Sequence, residues 1–259
     1  MQETNVYKLI ESSPNEKENS LLKNTSEIFG VSSLELESEF ISYKIQKFLK
    51  VIDYLALNEK SELSLKEKVS FVQKSAIGSI TCMPARIDFA LKYAMGKDLI
   101  VNSVIGYPNG DEFSKSKIVC AKKLAKTKVF SVFTPVSSVM LGYYRIDQTE
   151  KELKKIRKIL KNKKFNLQIN IDELSNALIS TFAKIAILCK VDGVIIGGDL
   201  NQIGKIKALM DLLSNKITLC AQGELTVSQV NALFKLGVNS ISATNSNRLV
   251  EAVKNAIKN

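Results

Sequence analysis

The chain has 259 residues, 45% hydrophobic and 24% charged, enough apolar material for one sizeable core and the length of one domain. It contains no histidine. That excludes Ser-His-Asp and Cys-His nucleophiles, histidine acid–base catalysis and the usual catalytic zinc sites, so any chemistry must use carboxylates, lysine, thiols or backbone. The net charge is +11, yet only Arg86, Arg145, Arg157 and Arg248 among the 37 basic residues are arginines, and the lysines are scattered. This favours a solvated lysine surface over a nucleic-acid face, which clusters charge and uses arginine to fork onto phosphate or guanine.

Residues 1–35 are polar and weakly patterned, with Pro14 and many Glu, Asn and Ser, and read as a loosely held extension. The segment Leu34 to Leu49 has helical periodicity and is expected to lid one end of a main body spanning 36–259. From there the chain alternates between short strand-like runs and helical patterns. Strands are expected at 50–57, 79–83, 99–107, 128–133, 166–172, 192–198, 216–223 and 240–244. Helical patterns fall at 64–76, 85–95, 113–125, 203–214, 226–237 and 248–258, the fifth with Thr226 as N-cap and Gly237 closing it. The basic run Lys151 to Lys164 places Leu153, Ile156 and Leu160 at helical spacing, an amphipathic helix with a solvated face. Eight strands alternating with helices make an α/β protein, a closed (β/α)8 TIM barrel with an N-terminal helical extension, and in such barrels ligands sit at the C-terminal strand ends.

Cys82, Cys120, Cys189 and Cys220 lie far apart in apolar runs without metal-ligand spacing, as reduced buried thiols do. No apolar run reaches the ~18 residues of a membrane helix, and the first 20 residues lack a signal pattern. A cytoplasmic protein is expected.

Four stretches in order resemble the deoxyribose-phosphate aldolases from about Phe48 onward. LKVIDYLALN (49–58) is similar to the family's first strand, with its aspartate at Asp53. SITCMP (79–84) is similar to the second strand, VNSVIGYPNGDE (101–112) to the third strand and its turn, and TPVSSVMLG (134–142) to the loop after the fourth. The resemblance implies a barrel that makes and breaks a carbon–carbon bond through a Schiff base on a sixth-strand lysine. A second lysine on the seventh strand would depress the pKa of the first, and a fourth-strand aspartate would shuttle protons.

Laid onto this sequence, those three positions fall on Ile195, Leu219 and Ser131, so all three chemical groups are missing. The strand-adjacent Lys50, Lys128, Lys190 and Lys216 precede their strands and are expected on the far side of the barrel. The family's phosphate loops carry Asp199 after Gly197-Gly198, Glu224 after Gln222-Gly223, and SATNS (242–246, with Asn245) after the eighth strand. Two carboxylates beside a phosphate dianion would repel it by about 1 kcal/mol or more each.

Asp53, Asp172, Asp199 and Glu224 are all expected near the mouth, where they could hold Mg²⁺ or a cationic ligand through oxygen. Loops on any barrel carry acids, however. No metal site and no cofactor is assigned, and Asp53 reads better as a structural residue bonded to a neighbouring strand. The pocket candidates are therefore Asp53, Asp172, Gly197, Gly198, Asp199, Gln222, Gly223, Glu224 and Asn245. The favoured expectation is an aldolase-like protein without Schiff-base activity, serving a binding or structural role. Its partners would be a small ligand at the mouth, a second copy or another protein, and neither a membrane nor nucleic acid. The alternative is an enzyme, an aldolase or lyase or one of altered chemistry, acting on a small sugar phosphate or carbonyl compound at the same mouth.

Overall fold

The apolar runs become strands because each is cut off by a residue that stops the ladder or begins a helix. Ser61 ends the first loop by accepting the Ser64 N–H at 3.0 Å and starting a helix. Gly198, at φ +93°, ends the sixth strand. At Thr226 the hydroxyl and the Gln229 side chain each satisfy the other's backbone N–H, and Gly237 at φ 111° closes the helix that follows.

The computed structural model describes residues 46–96, 98–142, 145–213 and 216–255. In chain order these form β1 Ile52–Ala56, α1 Glu62–Lys74, β2 Ser79–Cys82, α2 Ile87–Ala94, β3 Ile100–Val104 and α3 Ser114–Leu124. Next come β4 Ser131–Pro135, α4 Ser138–Gly142, α5 Ile146–Ile159, β5 Lys164–Asn170 and α6 Asn176–Leu188. The chain continues through β6 Gly193–Gly197, α7 Ile203–Leu212, β7 Thr218–Gly223, α8 Val227–Leu236, β8 Ser240–Ala243 and α9 Ser246–Asn255. The strands run parallel in sequence order and β8 pairs back to β1, closing a (β/α)8 barrel. No helix among the described residues is long and apolar enough to cross a membrane.

Several boundaries differ from those expected. The third strand ends at Val104 rather than Tyr107, because the chain then folds into a turn with Gly106 at φ 71° and Gly110 at φ 78°. A Cβ on Gly110 would lie 2.3 Å from the Pro135 carbonyl oxygen, so this turn closes onto the end of β4. The fourth strand lies later and the fifth starts earlier than the apolar runs suggest, since the ladder pairs Ser131 with Lys164. The expected 34–49 helix lies outside the described residues up to Ile45, as do residues 1–35; residues 46–50 are helical.

Strand side chains alternate between two environments. One set faces the helices and forms the main core, among them Tyr54, Leu167, Val194, Ile196, Leu219 and Ala221. The other set, with Asp53, Phe133, Gln168, Ile195 and Cys220, faces the barrel interior. Whatever this barrel does is decided by that second set.

Candidate functional site at the barrel interior

The interior divides into layers. Nearest the N-terminal strand ends it is polar. Asp53 stands there with its carboxylate accepting from Ser79 Oγ at 2.6 Å, Thr81 Oγ1 at 2.7 Å, Ser242 Oγ at 2.7 Å and Asn102 Nδ2 at 3.2 Å. Burial pushes the Asp53 carboxyl above the ordinary carboxylate range, against the opposing pull of these four bonds. Ser131 accepts from Asn166 Nδ2 at 3.0 Å in the same layer. The layer opens to solvent through a cavity of about 420 Å³ whose rim includes Lys50, Lys164 and Lys216.

Above it the interior turns apolar. Ile195 packs with Val104 and Phe133, and Leu57, Met83, Tyr107 and Cys220 close around them. The ladder sets Ile195 level with Gln168 on β5 and Cys220 on β7. Burial pushes the Cys220 thiol up to about 12, so it stays protonated and is no nucleophile at neutral pH. Leu219, where the resemblance puts the second lysine, faces the helices instead. Seventh-strand side chains alternate, and the group that reaches the interior at this level is Cys220.

At the C-terminal mouth Gly197 lies between β5 and β7, with Gln168 Nε2 and the Gln222 carbonyl oxygen each just under 4 Å from where its Cβ would be. The side-chain oxygens Gln168 Oε1 and Gln222 Oε1 are buried without a hydrogen-bond partner, and Gln222 is 8% exposed. Gln168 escaped the sequence reading. The alternation along NLQINID puts it inside the barrel, but only the ladder shows that it stands beside Ile195.

The four acids expected at the mouth do not converge. Asp53 is at the other end of the barrel. Asp172 accepts the Asp199 N–H at 3.0 and 3.1 Å and a Gln202 amide hydrogen, while Asp199 accepts from Asn201 Nδ2 at 2.9 Å. Asn201 Oδ1 then accepts from Gln229 at 3.2 Å, so these acids tie the loops after β5 and β6 to the start of α8. A Cβ on Gly198 would fall 2.2 Å from Asn170 Oδ1 and 2.7 Å from Asp172 Oδ2, which makes glycine a requirement of this knot. Glu224 pairs with Arg248 at 3.1 Å on the exposed surface, and Gly223 closes β7 before it. Asn245 bonds both backbone groups of Leu225, at 2.8 and 3.1 Å, and so holds the loop after β7. Among the described residues no group of three or more Cys, Asp or Glu side chains could hold a metal.

Of the strand-adjacent lysines, Lys50 and Lys216 line the N-terminal opening together with Lys164. On the C-terminal side, the buried Lys117 donates to the Gly110 carbonyl at 2.8 Å and pairs with Glu152 at 2.5 Å, and Lys205 donates to the Ile171 carbonyl at 3.3 Å.

A closed ring of eight parallel strands alternating with helices is a (β/α)8 barrel. No family model matches the sequence, nor does any curated protein. Among solved structures the chain is similar to a candidate deoxyribose-phosphate aldolase from Coccidioides immitis, with TM-score 0.75 and 16% identity over 81% of this chain and 87% of that one. The tetrameric deoxyribose phosphate aldolase from Aeropyrum pernix gives 0.71 and 16% over 81% and 92%. More distant is the N-acetylneuraminate lyase of Proteus mirabilis, at 0.60 and 7% over 77% and 72%. At these identities the likeness is one of fold.

Proposed function

We propose that this aldolase-like barrel performs no Schiff-base chemistry and acts as a binding protein, taking a small neutral molecule rich in hydrogen-bond donors at its mouth. The observation that carries the reading is the apolar layer around Ile195. A Schiff base needs an amine whose lone pair is free inside the mouth. Here the inward position on β6 is a branched alkyl group packed on Val104 and Phe133, its β7 neighbour is a thiol held protonated, and Lys50, Lys164 and Lys216 stand at the opposite opening.

The same layer makes a dry floor for a ligand. Beside it Gln168, and above it Gln222, carry two buried carbonyl oxygens without donors, and leaving such groups unmet costs about 1–3 kcal/mol each. A ligand carrying hydroxyl or amide hydrogens would meet them. A phosphate would not, because Asp172 and Asp199 stand in the adjoining loops. A second copy or another subunit docked on the barrel is the structural form of the same role. The four cysteines are unpaired thiols, which suits the reducing cytoplasm.

The test is reductive trapping: the purified chain is incubated with deoxyribose 5-phosphate, borohydride is added, and intact and peptide masses are read beside an active aldolase as control. The expected result is no saturable adduct while the control labels. One saturable adduct on a single lysine would overturn the proposal.

A further inference from the structure

A cavity of about 310 Å³ lies beside the barrel, between the loops after β3 and β4 and the first turns of α3 and α5. None of its lining residues belongs to the mouth at Gln168 and Gln222. Helical spacing brings its polar groups together: Ser114 and Lys117 are three residues apart on α3, and Thr149 and Glu152 are three apart on α5. Lys117 Nζ pairs with Glu152 Oε1 at 2.5 Å and donates to the Gly110 carbonyl at 2.8 Å, while Ser114 donates to Glu152 Oε2. Both oxygens of Glu152 are therefore engaged. An ammonium carries three hydrogens, so Lys117 keeps one.

Two buried hydroxyls line the same space. Thr149 is 8% exposed and its Oγ1 has no partner. A helical threonine can tie off its hydroxyl on the carbonyl four residues back, as Thr181 does on Ala177 at 3.1 Å, but Thr149 makes no such bond to Arg145. Ser137, 7% exposed, accepts the Met140 N–H at 3.4 Å, and its own hydrogen has no acceptor. Lys117, Thr149 and Ser137 thus turn three donors on one cavity that no acceptor among the described residues meets. The rest of the inner wall is apolar, with Val136, Met140 and Leu153. The rim carries Arg145 against Asp111 and Glu112, all exposed and screened by water, so the buried donors decide what enters.

We propose that this cavity is a binding site for a short-chain aliphatic monocarboxylate, distinct from the mouth. Its carboxylate takes the unmet hydrogens of Lys117, Thr149 and Ser137, and its alkyl chain lies on Val136, Met140 and Leu153. A carboxylate only accepts, and its two oxygens have lone pairs enough for three donors. A second negative charge would meet Glu152, whose own charge Lys117 already offsets. The volume is at the lower end of the ~300–1,000 Å³ of small-molecule sites, so the chain is short.

The test uses the full-length protein with methyl-¹³C methionine, titrated with isovalerate and followed by NMR. Met140 lines this cavity and Met83 the apolar layer inside the barrel, so their methyl resonances, assigned with Met140→Leu and Met83→Leu, report on the two places separately. A saturable shift at Met140 is expected, with Met83 unmoved. Thr149→Val keeps the shape of the side chain and drops a hydroxyl that meets nothing in the free protein. It should melt no lower than wild type and should weaken isovalerate about tenfold or more. Isovaleramide, of the same shape without the charge, should also bind about tenfold more weakly or worse. No saturable shift at Met140, a shift at Met83 alone, equal affinity for the amide, or unchanged affinity in Thr149→Val would each overturn the proposal. A Thr149→Val protein that melts below wild type would show the hydroxyl engaged within the chain and would overturn it too.

Discussion

Asp53 offers a sharp test of what the polar layer is for. Its carboxylate is the shared acceptor of four donors from three other strands, Ser79 and Asn102 on Oδ1, Thr81 and Ser242 on Oδ2. Asp53→Leu removes every acceptor at once. Leaving a buried donor unmet costs about 1–3 kcal/mol. Because the hydroxyls can turn toward one another or toward the open cavity, the lower figure applies, and the variant should lose about 4 kcal/mol. Asp53→Asn should behave differently. With its amide oxygen in place of Oδ1 it still accepts from Ser79 and Asn102, while its NH₂ faces two hydroxyls that can rotate to accept; a loss of about 1 kcal/mol or less is expected. The pH dependence separates the two carboxyl effects. Burial holds the Asp53 carboxyl above its unfolded value, so the folded state binds the extra proton. Its contribution is fully present below the unfolded pKa and is lost as pH rises through the folded one. Relative to Asp53→Asn, the wild type should therefore weaken as pH rises from about 4 upward. Urea unfolding at several pH values measures all three. A leucine variant within about 1 kcal/mol of wild type, or an asparagine variant as unstable as the leucine one, would refute the reasoning.

Other expectations concern the mouth and its supports. Ile195→Lys should destabilise by several kcal/mol, since it puts an amine among Val104, Phe133 and Cys220; because such a lysine is depressed in pKa, urea unfolding should show the variant recovering from pH 7 to pH 9. Lys117→Met leaves Glu152 unpaired where both side chains are about 10% exposed or less. It should cost about 3–5 kcal/mol, most of it restored in Lys117→Met/Glu152→Leu by thermal unfolding. Gly198→Ala combines φ +93° with a 2.2 Å approach to Asn170 and should cost more than about 1 kcal/mol by chemical denaturation, whereas Gly204→Ala, with open space around it, should be neutral or stabilising. Thr226→Ala should cost about 1 kcal/mol through the lost cap, read in the same assay.

Much of the architecture follows from local chemistry and was legible in the chain. A run such as VDGVIIGG is too short and too β-branched for a helix and ends in glycines, so a strand is the only economical reading, and TVSQVNALFKLG carries its own start and stop. Repetition of such units leaves a parallel barrel as the way to bury every strand. That residue 195 is an isoleucine on the sixth strand was legible for the same reason, since residue identity on a strand needs no tertiary information. What the positions do could not be read in the same way. Which of Leu219 and Cys220 enters the interior depends on the parity of β7 against β6, and a slip of one residue exchanges the two faces.

The same limit separates the acids. Asp53 and Asp199 look alike in sequence, yet Asp53 meets Ser242, 189 residues away, only once the barrel closes, and so belongs to the floor rather than to the mouth. The sequence by itself determined the kinds of element and their order, because those depend on neighbours a few residues apart, and the absence of histidine. Only the tertiary structure decided which side chains share a layer, that Ile195 packs among apolar groups, and that Gln168 beside it and Gln222 above it keep side-chain oxygens without partners. Those relations are set by the register of eight strands joined through a closed ring.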